Sequence, residues 1–207
     1  MFPKAIIFDL DDTLIALKDT ANETWKILAD EYATKNKKVG GQVLYDTITE
    51  TRLRYWEDEK NNLQGRKNQK EARREIIGRV FKKLDLPIDE ANDLADDYSN
   101  IRLENLKLFP KVIETLEFLK QKGIILALIT NGEAKIQRCK IEKFNLESFF
   151  ECILIETEIG YGKPDSRIYK KAMRDMGVTS RETRSVGDNL IWDIKAPQSL
   201  GIYISME

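Results

Sequence analysis

The chain has 207 residues, of which 42% are hydrophobic and 33% charged, as is typical of a globular protein of one or two domains. Its 34 lysines and arginines nearly balance its 35 aspartates and glutamates, so no net charge predicts a nucleic-acid or membrane partner. The sequence contains no histidine, which excludes Ser-His-Asp and Cys-His catalysis and zinc held by histidine. Proton transfer near neutral pH therefore has to use carboxylates, lysine, tyrosine, cysteine or water.

The chain carries no recognisable targeting segment. The apolar run "AIIF" reaches Asp9 without a cleavage site, and the longest run, "GIILALIT", is too short to cross a bilayer. Cys139 and Cys152 lie in a helix-like and a strand-like segment, which does not suggest a disulfide framework. These features predict a cytoplasmic protein with buried free thiols.

The first predicted element is a strand at residues 5–9, within "KAIIFDLDDTL". About 90 residues with helical spacing follow it, far more than a crossover between strands requires. The clearest apolar stripe consists of Ala72, Ile76, Ile77, Val80, Phe81 and Leu84. This region predicts an all-helical domain at 17–108, inserted after the first strand and holding a small core of its own.

The rest of the chain alternates strands and helices. Mostly unalternated apolar runs predict strands at 124–130, 152–156, 184–188 and 202–205, as expected for strands buried on both faces. Segments with helical spacing separate them, which predicts an α/β fold with a doubly wound parallel sheet. The predicted core is five-stranded and Rossmann-like, and it combines residues 1–16 with 109–207.

Chemically reactive side chains follow four of the predicted strands. Because ligands bind at the carboxyl ends of strands in open α/β sheets, we expect these side chains to meet in one crevice. In chain order they are Asp9 and Asp11, then Thr130 and Asn131, then Lys163 in "GYGKPD", then Asp188 and Asp193 in "GDNLIWD". Each group alone is also compatible with an ordinary turn or helix cap, but the four together favour a site.

This combination is suited to phosphoryl transfer. Mg²⁺ prefers oxygen ligands, which Asp9 and Asp188 would supply, and Lys163 would add positive charge against phosphoryl oxygens. Thr130 would donate a hydrogen bond to those oxygens, and backbone N–H groups near Asn131 would contribute more. A carboxylate nucleophile would then form a phosphoaspartate, with a second carboxylate exchanging protons with the leaving group and water.

In this order, "DLDDTL", "TNG", "GKPD" and "VGDNLIWD" resemble the four motifs of the haloacid dehalogenase-like (HAD) superfamily. The resemblance implies that Asp9 is the nucleophile and that Asp11 is the general acid/base and binds metal through its backbone carbonyl. It also implies a central first strand and a helical cap of the C1 type. Many members continue beyond the fifth strand, so the end at Glu207 leaves a compact variant and a shortened C-terminus as alternatives.

The later motifs supply the remaining roles that the resemblance implies. Thr130 matches the hydroxyl of the second motif, and Lys163 matches the lysine of the third. Asp188 matches the direct metal ligand. Asp193 matches the second carboxylate, which acts through water or on Lys163.

The expected function is a Mg²⁺-dependent phosphatase acting on a small phosphorylated metabolite, as a monomer or homodimer, with no nucleic acid or membrane partner. A phosphomutase of the same fold is one alternative. A 2-haloacid dehalogenase is disfavoured because its chemistry needs no acid at the position of Asp11. A receiver domain would carry its phosphoacceptor in mid-chain, and a non-catalytic binding protein is expected to have lost a motif residue.

Substrate choice is expected to depend on the helical insert. Its segment "TRLRYWEDEKNNLQGRKNQKEARREI" contains several arginines, among which Arg66, in a predicted interhelical turn, is the first candidate to bind a substrate carboxylate or second phosphate. The ordinary alternative is a solvated helix pair. The resemblance to the family implies several possible substrates, because its enzymes hydrolyse sugar phosphates, phosphoglycolate, nucleoside monophosphates and acylneuraminate phosphate.

Overall fold

The computed structural model describes residues 3–204, which divide into two compact units. One unit combines the N-terminal segment up to Ala16 with the chain from Lys107 onward, and the other is Leu17–Leu106. Across the described residues, we find no helix with the length and apolar character needed to cross a membrane.

The first unit contains a five-stranded, all-parallel sheet, as predicted. Its strands are β1 (Ala5–Phe8), β2 (Ile125–Thr130), β3 (Cys152–Ile155), β4 (Thr183–Val186) and β5 (Tyr203–Ile204). The strand order β3-β2-β1-β4-β5 makes β1 central, so the topology switches direction beside β1. The carboxyl end of β1 is therefore the expected place for a ligand.

The strands are shorter than the sequence predicted. β1 ends at Phe8 and not at residue 9, and β4 ends at Val186 and not at residue 188, because Asp9 and Asp188 already lie in loops at the carboxyl edge of the sheet. The prediction for the last strand included Ser205, which lies outside the described residues.

The second unit is entirely helical within residues 17–106. Its helices are α1 (Leu17–Lys35), α2 (Gly41–Glu57), α3 (Glu59–Gly65), α4 (Gln69–Lys83) and α5 (Ala91–Asn105), with a short 3₁₀ helix at Ile88–Glu90. Trp25, Ile48, Ile77, Phe81 and Ala95 are among the residues of one apolar cluster that lies wholly in this unit. The predicted small core of the insert is therefore present.

Helices also connect the strands of the first unit. They are α6 (Val112–Gln121), α7 (Ala134–Lys143), α8 (Glu156–Ile159), α9 (Ser166–Asp175) and α10 (Ala196–Ser199), with 3₁₀ helices at Glu147–Phe149 and Ser180–Glu182 and a π-helical segment at Leu190–Lys195. The α9 residues Ile168, Tyr169 and Ala172 pack with Ile7 and Ile129 of the sheet. This packing fixes α9 against the strands that carry the site.

The segments that flank the insert pair with each other inside the first unit. The Ala16 N–H donates to the Lys107 carbonyl at 2.9 Å, and the Phe109 N–H donates to the Leu14 carbonyl at 3.0 Å. Leu108 is therefore paired to Ile15, and the boundary between the units lies at 106/107 where the sequence predicted 108/109.

The two cysteines do not form a disulfide. Both are half-buried, whereas the sequence predicted buried thiols. Burial raises the pKa of the Cys152 thiol to about 11, so this group is protonated near neutral pH.

Candidate active site

The centre of the candidate site is a buried ion-pair cluster at the carboxyl ends of β1, β3 and β4. The Lys163 ammonium nitrogen lies 2.5 Å from Asp9 Oδ1 and 2.6 Å from Asp193 Oδ1. Lys163 is 2% exposed, Asp193 3% and Asp9 7%. Because each of these charges is almost removed from water, the cluster is stable only while opposite charges remain in contact.

Burial and neighbouring charges change the pKa values of Asp9 and Lys163. The pKa of Asp9 is raised to about 6, chiefly by burial; Lys163 opposes the shift, and the nearby carboxylates of Asp193 and Asp11 add to it. Burial alone would lower the pKa of Lys163, but the Asp9 and Asp193 carboxylates hold it above its usual value. Lys163 is therefore a permanent cation, and Asp9 ionises fully only when further positive charge is supplied or the pH exceeds its raised pKa.

Three carboxylates of this site fit a metal ion. One oxygen each of Asp9, Asp188 and Asp193 lies within 4.8 Å of the other two. The single positive charge of Lys163 does not balance three carboxylates, and an all-oxygen donor set is the one that Mg²⁺ prefers. The residues present therefore fit a hard divalent cation.

Asp193 contacts Lys163 directly. Its second oxygen, Oδ2, accepts a hydrogen bond from the Asn189 N–H at 3.0 Å. Of the two actions that the resemblance allowed for Asp193, contact with Lys163 is the one observed. Gly187 makes this arrangement possible, because a Cβ atom at that position would lie 2.2 Å from the Asp193 carboxylate carbon.

Asn131 positions the lysine through its main chain. The side-chain oxygen of Asn131 accepts from the Lys163 N–H at 2.7 Å, and its Nδ2 donates to the Lys163 carbonyl at 2.7 Å. Gly162 leaves room for this contact, because a Cβ there would lie 2.4 Å from Asn131 Oδ1. Both polar atoms of the Asn131 amide side chain are therefore occupied, which leaves its main-chain N–H as the donor for a ligand.

Asp11 and Thr130 are held by two residues of α7 that the sequence analysis missed. The Lys140 ammonium lies 2.8 Å from both carboxylate oxygens of Asp11. The Gln137 side-chain amide donates to Asp11 Oδ2 at 3.0 Å and also to the Thr130 hydroxyl oxygen. Both residues are almost fully buried, Gln137 at 0% and Lys140 at 2% exposure. The sequence did contain a sign of their burial. Gln137 and Lys140 are three residues apart, so they share one face of α7, and the apolar Ile141 lies on that face as well.

Asp12 and Arg66 also agree with their predicted positions in turns. Asp12 adopts a left-handed conformation, with φ 59°, in the turn after β1, where its N–H donates to the Ile15 carbonyl. This supports the interpretation of Asp12 as a turn residue, although it is half-buried and not exposed. Arg66 belongs to the helical unit and immediately follows α3, as its predicted turn position required.

The sequence model of the haloacid dehalogenase-like hydrolases matches residues 6–206. The chain belongs to this family. The HAD hydrolase is 28% identical over 199 residues to the glyceraldehyde 3-phosphate phosphatase of Methanocaldococcus jannaschii, covering 96% of this chain and 82% of the relative. It is likewise 28% identical to the human N-acylneuraminate-9-phosphatase, covering 96% and 79% of the two chains.

A solved structure confirms the fold of the HAD hydrolase. The magnesium-bound HAD-family hydrolase YfnB from Bacillus subtilis superposes with a TM-score of 0.71 at 19% identity, over 99% of this chain and 88% of that one. At this level of identity the likeness establishes architecture alone.

Proposed function

We propose that this HAD hydrolase is a Mg²⁺-dependent phosphatase that hydrolyses small phosphate monoesters through a phosphoaspartate at Asp9. The observation that carries the proposal is a second carboxylate, Asp11, two residues after the nucleophile and fixed by Lys140 and Gln137. Two separately held carboxylates provide one group to attack phosphorus and another to exchange the proton. The names of the phosphatase relatives support the same activity.

The first half of the reaction transfers the phosphoryl group to the protein. An Asp9 carboxylate oxygen attacks phosphorus, and the bond between phosphorus and the ester oxygen breaks. Protonated Asp11 gives its proton to the departing oxygen, which leaves as an alcohol. Lys163, the Thr130 hydroxyl and the Asn131 main-chain N–H are the groups that we assign to the phosphoryl oxygens.

The second half releases phosphate. Asp11, now ionised, takes a proton from water as the water oxygen attacks the phosphoaspartate. The bond between phosphorus and the Asp9 oxygen breaks, which restores the Asp9 carboxylate and the protonated Asp11. Asp9, Asp188 and the Asp11 carbonyl would hold Mg²⁺, which supplies positive charge against the phosphate and the nucleophile, while Asp193 keeps Lys163 in place.

The competing activities in this fold are separated by the fate of the phosphoryl group and by Asp11. A phosphomutase would return the phosphoryl group to a sugar and not to water. A dehalogenase would not require the Asp11 carboxylate, whereas in this protein two buried residues, Lys140 and Gln137, donate hydrogen bonds to it. Small phosphorylated metabolites remain the proposed partners, and the cytoplasmic location and the monomeric or homodimeric state stay predictions from the sequence.

The deciding experiment measures phosphate release from a panel of metabolite phosphates and one aryl phosphate, with Mg²⁺ and with chelator, for the native protein and Asp9→Asn. We expect release that requires Mg²⁺ and disappears in Asp9→Asn. Folded protein that releases no phosphate from any ester would refute the phosphatase and favour a mutase. A chelator-resistant activity would refute the metal requirement alone.

A further inference from the structure

Glu156 is a buried carboxylate that the proposed reaction does not use. It is 3% exposed, and its Oε2 accepts a hydrogen bond from the Gly132 N–H at 3.0 Å. Gly132 is itself buried and directly follows Thr130 and Asn131, the two residues assigned to phosphoryl oxygens. Because a glutamate is rarely buried unless it is hydrogen-bonded or paired, its contact with this loop calls for an explanation.

The parallel pairing of β2 with β3 brings the two segments together. Thr130, the last residue of β2, is the register partner of Ile155, the last residue of β3. The two chains therefore leave the sheet side by side, one into the loop at Gly132 and the other into α8. Glu156 and Thr157, the first two residues of α8, both contact that loop.

Both main-chain polar groups of Gly132 are bound by α8. Its N–H donates to Glu156, and its carbonyl accepts a hydrogen bond from the Thr157 hydroxyl at 3.1 Å. The Thr157 oxygen in turn accepts from the Ala134 N–H, in the first turn of α7, at 2.8 Å. Gly132 has a φ of 117°, which side chains other than glycine rarely tolerate and from which glycine moves easily. The two contacts therefore fix a backbone position that would otherwise rotate freely.

The orientation of Gly132 determines that of the peptide group before it. In a planar trans peptide the N–H and the carbonyl point in opposite directions. The contact with Glu156 therefore directs the Asn131 carbonyl away from α8, and Thr130 Oγ1 lies 3.5 Å from that carbonyl oxygen. The Asn131 side chain is bound at the same time to the main chain of Lys163. The loop is thus held by α8 and by the segment that carries Lys163.

Glu156 also packs against the segment that carries Lys163. A Cβ atom at Gly162 would lie 2.8 Å from Glu156 Cγ and 2.9 Å from Glu156 Cβ. Gly162 directly precedes Lys163 in the chain. One buried side chain therefore contacts the two loops that bring Thr130 and Lys163 to the site.

We propose that Glu156 is a positioning residue for the phosphoryl group and that it acts through Gly132. By fixing that glycine, it sets the orientation in which Thr130 and Asn131 meet phosphoryl oxygens. This inference rests on the proposed function, which assigns those two residues to the phosphoryl oxygens. Hydrogen bonds weaken steeply as the donor turns away from the acceptor, so loss of the Glu156 contact should weaken phosphate binding. The role requires an acceptor oxygen at position 156 and not a negative charge.

The variants are Glu156→Ala, which removes the acceptor, and Glu156→Gln, which keeps an acceptor oxygen and removes the charge. Thr157→Val, at an exposed position, removes the other contact to Gly132 and decides by the same comparisons if Glu156→Ala does not fold. Glu158→Ala is the matched control, because Glu158 also lies in α8 and contacts α7, but through Arg138, at 2.8 Å.

The first arm tests the contact without phosphate or turnover. Hydrogen exchange of the Gly132 amide is followed by NMR on the full-length protein. We expect this amide to exchange about tenfold faster, or more, in Glu156→Ala than in the native protein, and at the native rate in Glu158→Ala. An unchanged rate in Glu156→Ala would overturn the inference at this step.

The second arm tests the consequence for phosphate. Inorganic phosphate is titrated into each protein with Mg²⁺ by calorimetry, and kcat/KM is measured for glycerol 3-phosphate and 4-nitrophenyl phosphate. We expect Glu156→Ala to raise the Kd for phosphate about tenfold and to lower kcat/KM about 10- to 100-fold, equally for both esters. Loss of the acid would instead spare the aryl ester. Glu156→Gln and Glu158→Ala should remain within about threefold of the native protein.

The inference is overturned if Glu156→Ala binds phosphate as tightly as Glu158→Ala does, because the contact with Gly132 would then not position the donors. It is also overturned if Glu156→Gln is impaired as much as Glu156→Ala. A native protein that binds phosphate but hydrolyses neither ester would refute the proposed phosphatase alone, and the phosphate titration would still decide the role of Glu156. A native protein that binds no phosphate would refute both.

Discussion

The Lys140 ammonium nitrogen is equidistant, at 2.8 Å, from the two carboxylate oxygens of Asp11. This contact fixes the plane of the carboxylate whose proton the proposed reaction transfers. In that reaction Lys140 would act through Asp11, as a positioning residue, and Gln137 links the same carboxylate to Thr130 by hydrogen bonds. Replacement of Lys140 should affect proton transfer more than attack on phosphorus.

Lys140→Met is expected to lower turnover of an alkyl phosphate about 100-fold, because a poor leaving group needs a well-placed acid. Turnover of 4-nitrophenyl phosphate, whose leaving group departs without protonation, should fall only a few-fold. Steady-state kinetics on both esters measures the difference. Lys135→Met, at an exposed position of the same helix, is the control, and equal losses on the two esters would remove the positioning role.

Asp9→Asn is expected to raise the Tm of the metal-free protein by a few degrees at pH 7.5. The folded pKa of Asp9, about 6, lies above its ordinary value of 3.8, so the folded state retains the proton more tightly than the unfolded state between these values. The free energy of unfolding of the native protein therefore falls as the pH rises from about 4 to about 6, while asparagine has no proton to lose.

The measurement is thermal unfolding of the native protein and Asp9→Asn in chelator, from pH 4 to pH 8. The gain in Tm should be present above about pH 6 and vanish near pH 4, where the native carboxyl is protonated in both states. A gain that does not change with pH would show that ionisation of Asp9 is not its cause. Added Mg²⁺ should stabilise the native protein more than the variant.

Gly187→Ala is expected to destabilise the protein by about 1–3 kcal/mol and to abolish most turnover, because its Cβ would overlap the Asp193 carboxylate that holds Lys163. Chemical denaturation and phosphate release measure the two effects. Gly40→Ala is the matched control, since a Cβ at Gly40 has nothing within 4 Å and its φ of −79° is open to alanine. Full activity in Gly187→Ala would mean that Asp193 can move without loss.

Asp188→Asn is expected to weaken Mg²⁺ binding and leave the buried cluster intact, because Lys163 contacts Asp9 and Asp193 and not Asp188. The rise in Tm on adding Mg²⁺ should shrink, and the Mg²⁺ concentration giving half-maximal activity should increase at least tenfold. Asp175→Asn, which removes a carboxylate bound to Lys171, is the control. An unchanged Mg²⁺ response would exclude Asp188 as a ligand.

The sheet could be predicted from the sequence because its strands are nearly continuous apolar runs. Asp9, Thr130 and Lys163 were placed together by the rule that parallel strands share a carboxyl edge. The contacts that each side chain makes within the site could not be predicted from the sequence. That Asn131 binds the main chain of Lys163, and that Asp193 contacts its ammonium, depends on loop geometry that spacing does not encode.

Lys140 illustrates one limit of prediction from the sequence. A lysine in a helix usually has a solvated side chain. The burial of Lys140 is explained only by its contact with Asp11, which follows β1 and is far from Lys140 in the sequence.

The central position of β1 has a consequence for biosynthesis. β1 leaves the ribosome before both of its neighbours in the sheet, Ile125–Thr130 and Thr183–Val186. The helical insert can complete its own core while both edges of β1 still lack their partners, and the second edge is closed only after Thr183–Val186 has been translated. A nascent chain stalled before residue 183 would therefore display an apolar strand edge, which makes it a substrate for chaperones and prone to aggregate.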